Sequence, residues 1–407
     1  MSIIGTLEEE YASRQPRRCA KHNIRDTYPP PLTTANLLVD LNPPSMSLIF
    51  PFDPNIERAA TIPARLYNDP VYLELERERI FAHTWQLVGR VEQLREHGQF
   101  ITAQVGNDAI VILRDGDLLR GFYNVCLHRA GPVASGCGTR KTLQCRYHGW
   151  TYALDGTLIR APEMEGVQNF RPEEMHLVPV QIATWGPLVF ANLDGKAPPL
   201  LEVLEDIPQR VEPFRCEAMR YVMRKEWDIA CNWKIYVDNY LEGYHLPVVH
   251  PGLHKELDYD NYTVEPHRYF SLQHAPLRAV HGGNAAERRY DPAKTDVAEA
   301  LYVWLFPNMM LNVYMGQMQT NVVIPVAHDR CKVVFEWYSV SPPDDPATDI
   351  EWTKLLAFSD EIQEEDIHIC EVVQRNLRSR IYDRGRYSAA RENGVHHFHS
   401  LLHEFLT

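Results

Sequence analysis

Cys126-Leu127-His128-Arg129 and Cys145-Arg146-Tyr147-His148-Gly149-Trp150 are the stretches on which the fold turns. As a pattern they give C-x-H-x16-C-x2-H, with a cysteine and a histidine on each of two segments. Two thiolates and two imidazoles can take one zinc ion tetrahedrally. They can also hold a 2Fe–2S cluster, one iron on the cysteines and the other on the histidines, which raises the potential above that of an all-cysteine cluster. Each segment carries both ligand types at tight spacing, so each can reach both irons, and this favours the cluster. Gly131, Gly136, Gly138 and Gly149 lie around the four residues, where bare backbone can approach sulfur and donate N–H groups. Buried cysteines with incidental histidines are the plain alternative. Cys137, at no ligand spacing, is a bystander.

Around these loops, from Trp85 to about Asn192, the chain alternates in short runs: FITAQV, AIVILRD, LLRGFYNV, TYAL, TLIRA and GPLVFANL. Turn pairs such as Asp115-Gly116 and Asp155-Gly156 punctuate them, which predicts a small antiparallel β domain. Upstream, Asp69-Pro70 supplies an N-cap and first-turn proline for a helix over about 70–83. Residues 1–50, with Pro29-Pro30-Pro31 and Pro43-Pro44, form an extended arm with little core of its own. Beyond residue 200 the pattern mixes types. A helix is expected at about 232–244, strands at about 300–306, 309–315, 318–326 and 331–340, and a long helix at about 348–380. Strands and helices without βαβ alternation indicate an α+β class. The expected division is an arm at 1–50, a β domain at 51–196 and an α+β domain at 197–407.

The second domain has its own constellation. Asp238, Glu242 and His245 fall at i, i+4 and i+7, on one face if the helix continues, and Leu246-Pro247 then breaks it before His250. The pattern E-x2-H-x4-H places two histidines beside two carboxylates. On the long helix, Ile362, Asp366, Ile369, Cys370 and Val373 form an apolar stripe with Asp366 in its middle, while Glu364 and Glu365 face solvent. A carboxylate on a buried face is costly unless it is paired or bound to a metal. A salt bridge to a core cation is one resolution. With His245 and His250 it instead completes two histidines and a carboxylate, the facial set of non-haem Fe(II) oxygenases.

Composition limits the alternatives. The 407 residues carry 41 Lys+Arg against 54 Asp+Glu, a net charge of −13, which argues against a nucleic-acid or anionic-membrane partner. With 45% hydrophobic residues the chain is too apolar to be disordered. No run approaches the ~18 apolar residues of a membrane span. The first residues have no signal-type apolar core, so a cytoplasmic location is expected. The eight cysteines are scattered and read as intracellular core residues rather than a disulfide framework.

Taken in order, CLHR…CRYHGW, NWK…DNYLEGYHLPVVHPGL and EEDIHICEVVQ resemble the catalytic (alpha) subunits of Rieske non-haem iron oxygenases, over about residues 50–407. FPNMMLN and GRYS…GVHHFH are similar to the branch that contains choline monooxygenase and related quaternary-ammonium oxygenases. The resemblance implies a β Rieske domain joined to a helix-grip (START-like) catalytic domain with a long C-terminal helix. It implies Cys126, His128, Cys145 and His148 as holders of the 2Fe–2S cluster, and His245, His250 and Asp366 as ligands of a mononuclear Fe(II). Glu242 falls where the family has an acid bridging the two centres across a subunit boundary, often Asp, with Asp238 as a second catalytic candidate. It further implies a homotrimer and a separate NAD(P)H-dependent flavin or iron–sulfur reductase. The latter accords with the lack of a G-x-G-x-x-G signature in this chain.

For the substrate wall, alternation puts Tyr302, Trp304 and Phe306 on one strand face, either as an aromatic cage for a trimethylammonium group or as a sheet face packed under a helix. The function expected is monooxygenation or N-demethylation of a quaternary ammonium compound. Ring hydroxylation of an aromatic compound and a non-catalytic electron carrier or zinc-stabilised binding protein are the alternatives. His399 and His403, at i and i+4, have zinc-capable spacing but no apparent third ligand and read as structural.

Overall fold

A computed structural model describes residues 50–276 and 299–407; the arm expected over 1–50 lies, but for Phe50, outside the described residues. The protein is α+β, with two large antiparallel sheets and a long C-terminal helix. The first sheet orders Gln86–Arg90, Leu188–Asn192, Pro179–Trp185, Leu118–Tyr123, Asp108–Asp115, Gln99–Val105 and Cys137–Thr139. A three-stranded sheet, Leu143–Gln144, Thr151–Tyr152 and Leu158–Arg160, holds the second Cys/His loop. Strands Asp108–Asp115 and Leu118–Tyr123 meet at Gly116, whose φ of 59° is the left-handed conformation that a two-residue hairpin turn requires.

The second sheet orders Arg220–Ile229, Arg330–Ser339, Gln317–Ala327, Met309–Tyr314, Glu299–Leu305, Phe270–Pro276 and Thr263–Pro266. Against it lie the Trp233–Tyr240 helix, the 27-residue helix Ile350–Asn376 and the terminal helix Asn393–Leu406. The helix after Asp69 starts as its sequence indicates: the Asp69 carboxylate accepts the Val71 amide and Pro70 occupies the first turn. It runs as α-helix over Pro70–Glu76 and as π-helix over Arg77–Phe81. Its Leu73, Ile80 and Phe81 enter the same core as Trp233 and Phe398.

Two local expectations are corrected. The helix expected to reach residue 244 ends at Tyr240, so Glu242 and His245 sit in the following turn rather than on a continuous face. Glu242 accounts for the turn, since its carboxylate accepts the backbone amides of Tyr244 and His245. On the long helix the buried face runs through Gln363, Cys370, Gln374 and Leu377, while Val373 is exposed. Each buried glutamine is anchored through its side-chain oxygen: Gln363 accepts the Tyr236 phenol at 2.5 Å and Gln374 the Asn232 backbone amide at 2.6 Å.

Trp304 and Phe306 belong to the core under the terminal helix, Trp304 lying 5.3 Å from the Phe398 ring centroid and Phe306 4.9 Å from Phe405. His397 of that helix packs at 6.0 Å on Trp304. Burial pushes its imidazole down to about 4. As pH falls from about 6.5 towards 4, the unfolded chain takes up a proton that the folded chain refuses, so stability falls across that window. Between pH 7 and pH 5 this residue should account for about 2 kcal/mol of lost stability. Urea midpoints of the chain and of a His397→Gln variant at both pH values check this; parallel losses would refute it.

Candidate active site

The two Cys/His loops share one backbone design. In the first, the Ala130 amide donates to the Cys126 carbonyl (3.0 Å) and the Cys126 amide to the Gly131 carbonyl (2.8 Å). In the second, Gly149 donates to Cys145 (3.0 Å) and Cys145 to Trp150 (2.9 Å). The fourth residue after each cysteine is left-handed, φ 58° at Ala130 and 76° at Gly149. The matched turns bring the side chains together. The His128 and His148 rings lie 4.6 Å apart, and both thiols are buried. His128 stacks on Trp150 at 5.0 Å, and Cys126 Sγ is 3.3 Å from the Tyr152 hydroxyl, which also accepts the Leu127 amide.

Two observations test whether the loops suit a cluster. His128 Nδ1 is buried without a hydrogen-bond partner. A Cβ added at Gly131 would stand 2.8 Å from Cys145 Sγ, so glycine keeps the space beside that sulfur clear. A buried imidazole nitrogen with no hydrogen-bond partner has the environment expected of a metal ligand. The donor set fits a 2Fe–2S cluster.

The second site forms where the Trp233–Tyr240 helix meets the long helix. His250 Nε2 lies 2.9 Å and His245 Nε2 3.9 Å from Asp366 Oδ1. Ligand atoms of the three residues all fall within 4.8 Å of one another, the arrangement of a metal-holding group. The other ring nitrogens are already engaged: His245 Nδ1 by Glu242 at 2.6 Å and His250 Nδ1 by Glu365 at 2.6 Å. Carboxylates on both Nδ1 atoms fix the rings and leave both Nε2 atoms facing the centre, so the set fits a divalent metal. Burial works against charging His250, yet Asp366 and Glu365 outweigh it and hold its pKa above the ordinary value. Asn239 donates to Asp366 Oδ1 at 2.6 Å and completes the group.

Glu365 was expected in solvent. Its position next to Asp366 is the only sequence signal for it. Asp238 also departs from expectation. It turns away from the centre to accept the Tyr67 phenol (2.7 Å) and meet His399 Nε2 (3.0 Å), while His399 Nδ1 meets Tyr387 (2.6 Å). Asn239, one residue on, takes the inward direction. His399 is thus held in a structural network, and His403 packs against Phe50 and Phe52.

A cavity opens on His245, His250 and Asp366. Tyr240, Tyr262, Tyr302, Tyr314, Phe335 and Phe358 line it, with Asn312, Gln319 and Asn321 among them. Of the three aromatics expected on its wall, Tyr302 is there, whereas Trp304 and Phe306, farther along the same sheet face, lie under the terminal helix. Burial pushes the Tyr236 and Tyr240 phenols far above their ordinary range, Tyr236 further through the charge of Asp366, so both stay neutral.

Two family models match the chain, one over each half. Residues 84–171 match the Rieske [2Fe-2S] domain and residues 216–407 the ring hydroxylating alpha subunit catalytic domain. The chain is 38% identical to the chloroplastic choline monooxygenase of Arabidopsis thaliana over 374 residues, spanning 88% of this chain and 86% of that one. It is 33% identical over 366 residues to the carnitine monooxygenase oxygenase subunit of Escherichia coli K12, spanning 86% and 95%. A solved quaternary ammonium Rieske monooxygenase, described in terms of carnitine oxidation and inter-subunit electron transfer, superposes with a TM-score of 0.77 at 27% identity, covering 89% of this chain and all of that one. No helix among the described residues is long and apolar enough to cross a membrane. With a Rieske domain, a ring-hydroxylating catalytic domain and monooxygenase relatives spanning nearly its full length, the chain belongs to the Rieske non-haem iron oxygenase alpha subunits, oxidoreductases that carry a 2Fe–2S cluster and a mononuclear iron.

Proposed function

We propose that this oxygenase hydroxylates a quaternary ammonium compound, with Cys126, His128, Cys145 and His148 holding the cluster and His245, His250 and Asp366 the iron. The observation that carries the substrate class is the cavity wall. Tyr240, Tyr262, Tyr302 and Tyr314 present aromatic surface beside the Glu242 and Asp366 carboxylates. Tyrosine faces attract a trimethylammonium group, and nearby carboxylates add to that attraction in a partly desolvated site. The choline and carnitine monooxygenase relatives support the same class.

When bound, the cluster supplies single-electron transfer and the iron activates O₂ for insertion into a C–H bond. The chain's own residues orient these groups. Glu242 and Glu365 hold the two imidazoles by Nδ1, and Asn239 holds the Asp366 carboxylate. The neutral tyrosines shape the cavity without adding charge. A separate NAD(P)H-dependent reductase supplies the electrons, and the chain assembles with copies of itself as a homotrimer. Tyr147, 56% exposed and tilted against the His148 ring, and Leu127, 38% exposed, form an uncovered apolar rim beside the cluster loops that suits such an interface.

NAD(P)H-coupled O₂ uptake with a matching reductase, screened against choline, carnitine, betaines and aromatic acids, tests the substrate class. Formaldehyde release would mark N-demethylation, and an aldehyde hydrate would mark attack at an alcohol carbon. Coupled uptake with aromatic acids alone would overturn the proposal in favour of ring hydroxylation.

A prediction follows for Glu365. Its Glu365→Ala variant should bind Fe(II) about 10–100-fold more weakly, as loss of a ligand's carboxylate partner does elsewhere. The cluster absorption should not change. Equilibrium dialysis of Fe(II) measures this, and an unchanged affinity would show that Glu365 does not support His250.

A further inference from the structure

Among the described residues lining the cavity, one buried side-chain polar atom lacks a hydrogen-bond partner, and it is Nε2 of Gln363. The residue is 1% exposed. Its Oε1 is fixed by the Tyr236 phenol at 2.5 Å, so the amide cannot rotate its nitrogen away without losing that bond. Other amides of the wall already donate: Gln273 to the Tyr240 carbonyl at 2.8 Å, Asn239 to Asp366 at 2.6 Å and Gln319 to Asn321 at 2.8 Å. A buried amide N–H without an acceptor is unfavourable, and native structures rarely keep one without a reason. Gln363 precedes Asp366 by three residues on one helix, so the two side chains project from neighbouring positions of the same face. Both residues line the cavity.

We propose that Gln363 is a specificity residue whose Nε2 donates to an oxygen acceptor on the substrate, a hydroxyl or a carboxylate carried on the chain attached to the ammonium group. The assignment rests on the quaternary-ammonium reading above and sharpens it. The cavity would recognise a compound with two ends, a cation attracted by the tyrosines and an oxygen bonded to Gln363. A tetraalkylammonium ion of equal size without oxygen would leave the amide unpaired, and a site built around a polar group discriminates against such analogues.

The test uses the iron- and cluster-loaded protein with its reductase and two matched pairs of compounds. Choline is compared with propyltrimethylammonium, in which a methyl replaces the hydroxyl. γ-Butyrobetaine is compared with 4-methylpentyltrimethylammonium, in which an isopropyl group replaces the carboxylate. Gln363→Met removes both polar atoms at similar volume. Gln363→Glu keeps an oxygen for Tyr236 and removes the donor, so it controls for loss of the helix contact. Dissociation constants by calorimetry and kcat/KM are measured for each.

The expected result is a preference of on the order of 10-fold or more for the oxygen-bearing member of one pair, lost in both variants. The pair that shows the preference identifies the acceptor as hydroxyl or carboxylate. A preference that survives both substitutions, or none in the unaltered protein, would overturn the role of Gln363 alone. Binding and turnover of none of the four compounds would overturn the quaternary-ammonium reading together with it.

Discussion

Replacing Asp366 with alanine is expected to remove the mononuclear iron and lower oxygenation by on the order of 10³-fold, while the visible absorption of the 2Fe–2S cluster persists. The carboxylate is the anionic member of the group, and its Oδ1 lies 2.9 Å from His250 Nε2. Without it two neutral imidazoles remain, a weak site for a divalent iron that prefers an added carboxylate. With no metal in the site nothing in the chain activates O₂ for attack on a C–H bond, so the residual turnover reports only the small fraction of protein that still holds iron, which sets the size of the loss. The cluster loops are built on a different sheet and share none of these side chains, so they should assemble as before. Iron content and the EPR signal of the reduced cluster, measured on one sample, separate the two centres. A variant that keeps its full iron and its turnover would place the mononuclear iron elsewhere. An Asp366→Asn variant adds a control, since it preserves shape and an acceptor oxygen while removing the charge.

How much of this site could be read before folding depends on sequence distance. The cluster ligands lie on two short loops whose Cys-to-His spacing is local, so the pattern itself brings each pair together. His245 and His250 are close for the same reason. Asp366 is 116 positions from His250, and its signal was only a carboxylate amid apolar helix positions. That signal pointed to the residue, although the stripe itself was misplaced, because Gln363 and Gln374 are buried through hydrogen bonds that no hydropathy pattern registers. Glu365 and Asn239 were missed for a related reason. Both are polar residues beside a stronger candidate, and only tertiary contact shows which neighbour turns inward. For Tyr302, Trp304 and Phe306, period-two alternation gives the shared face, but what covers that face is decided by a terminal helix about a hundred residues away.

The second large effect is expected in stability. Lys234→Met should destabilise the protein by about 3–5 kcal/mol, the range seen when one member of a buried ion pair is removed. Lys234 Nζ lies 2.6 Å from Glu76 Oε1, and both side chains are fully buried. The other Glu76 oxygen accepts the Trp233 indole N–H at 2.6 Å. Burial alone drives Glu76 towards its neutral form and Lys234 towards its own, and the attraction between them works against both tendencies. Removing the ammonium leaves a carboxylate with one hydrogen bond in a core of Ile80, Phe81, Trp233 and Phe398. The double variant Glu76→Gln, Lys234→Met should recover most of the loss, because a neutral amide can still accept from Trp233 and no unpaired charge remains. Thermal unfolding of the single and double variants, with the cluster loaded, measures both quantities. Equal destabilisation in the two would mean that the cost lies in packing rather than in the stranded charge. The location gives the result functional weight. The pair joins the Pro70–Glu76 helix to the first turn of the Trp233–Tyr240 helix, which carries Tyr236 and Asn239 to the cavity. A loosened joint should therefore also weaken the Asn239 hold on Asp366, and iron retention should fall in the single variant and return in the double.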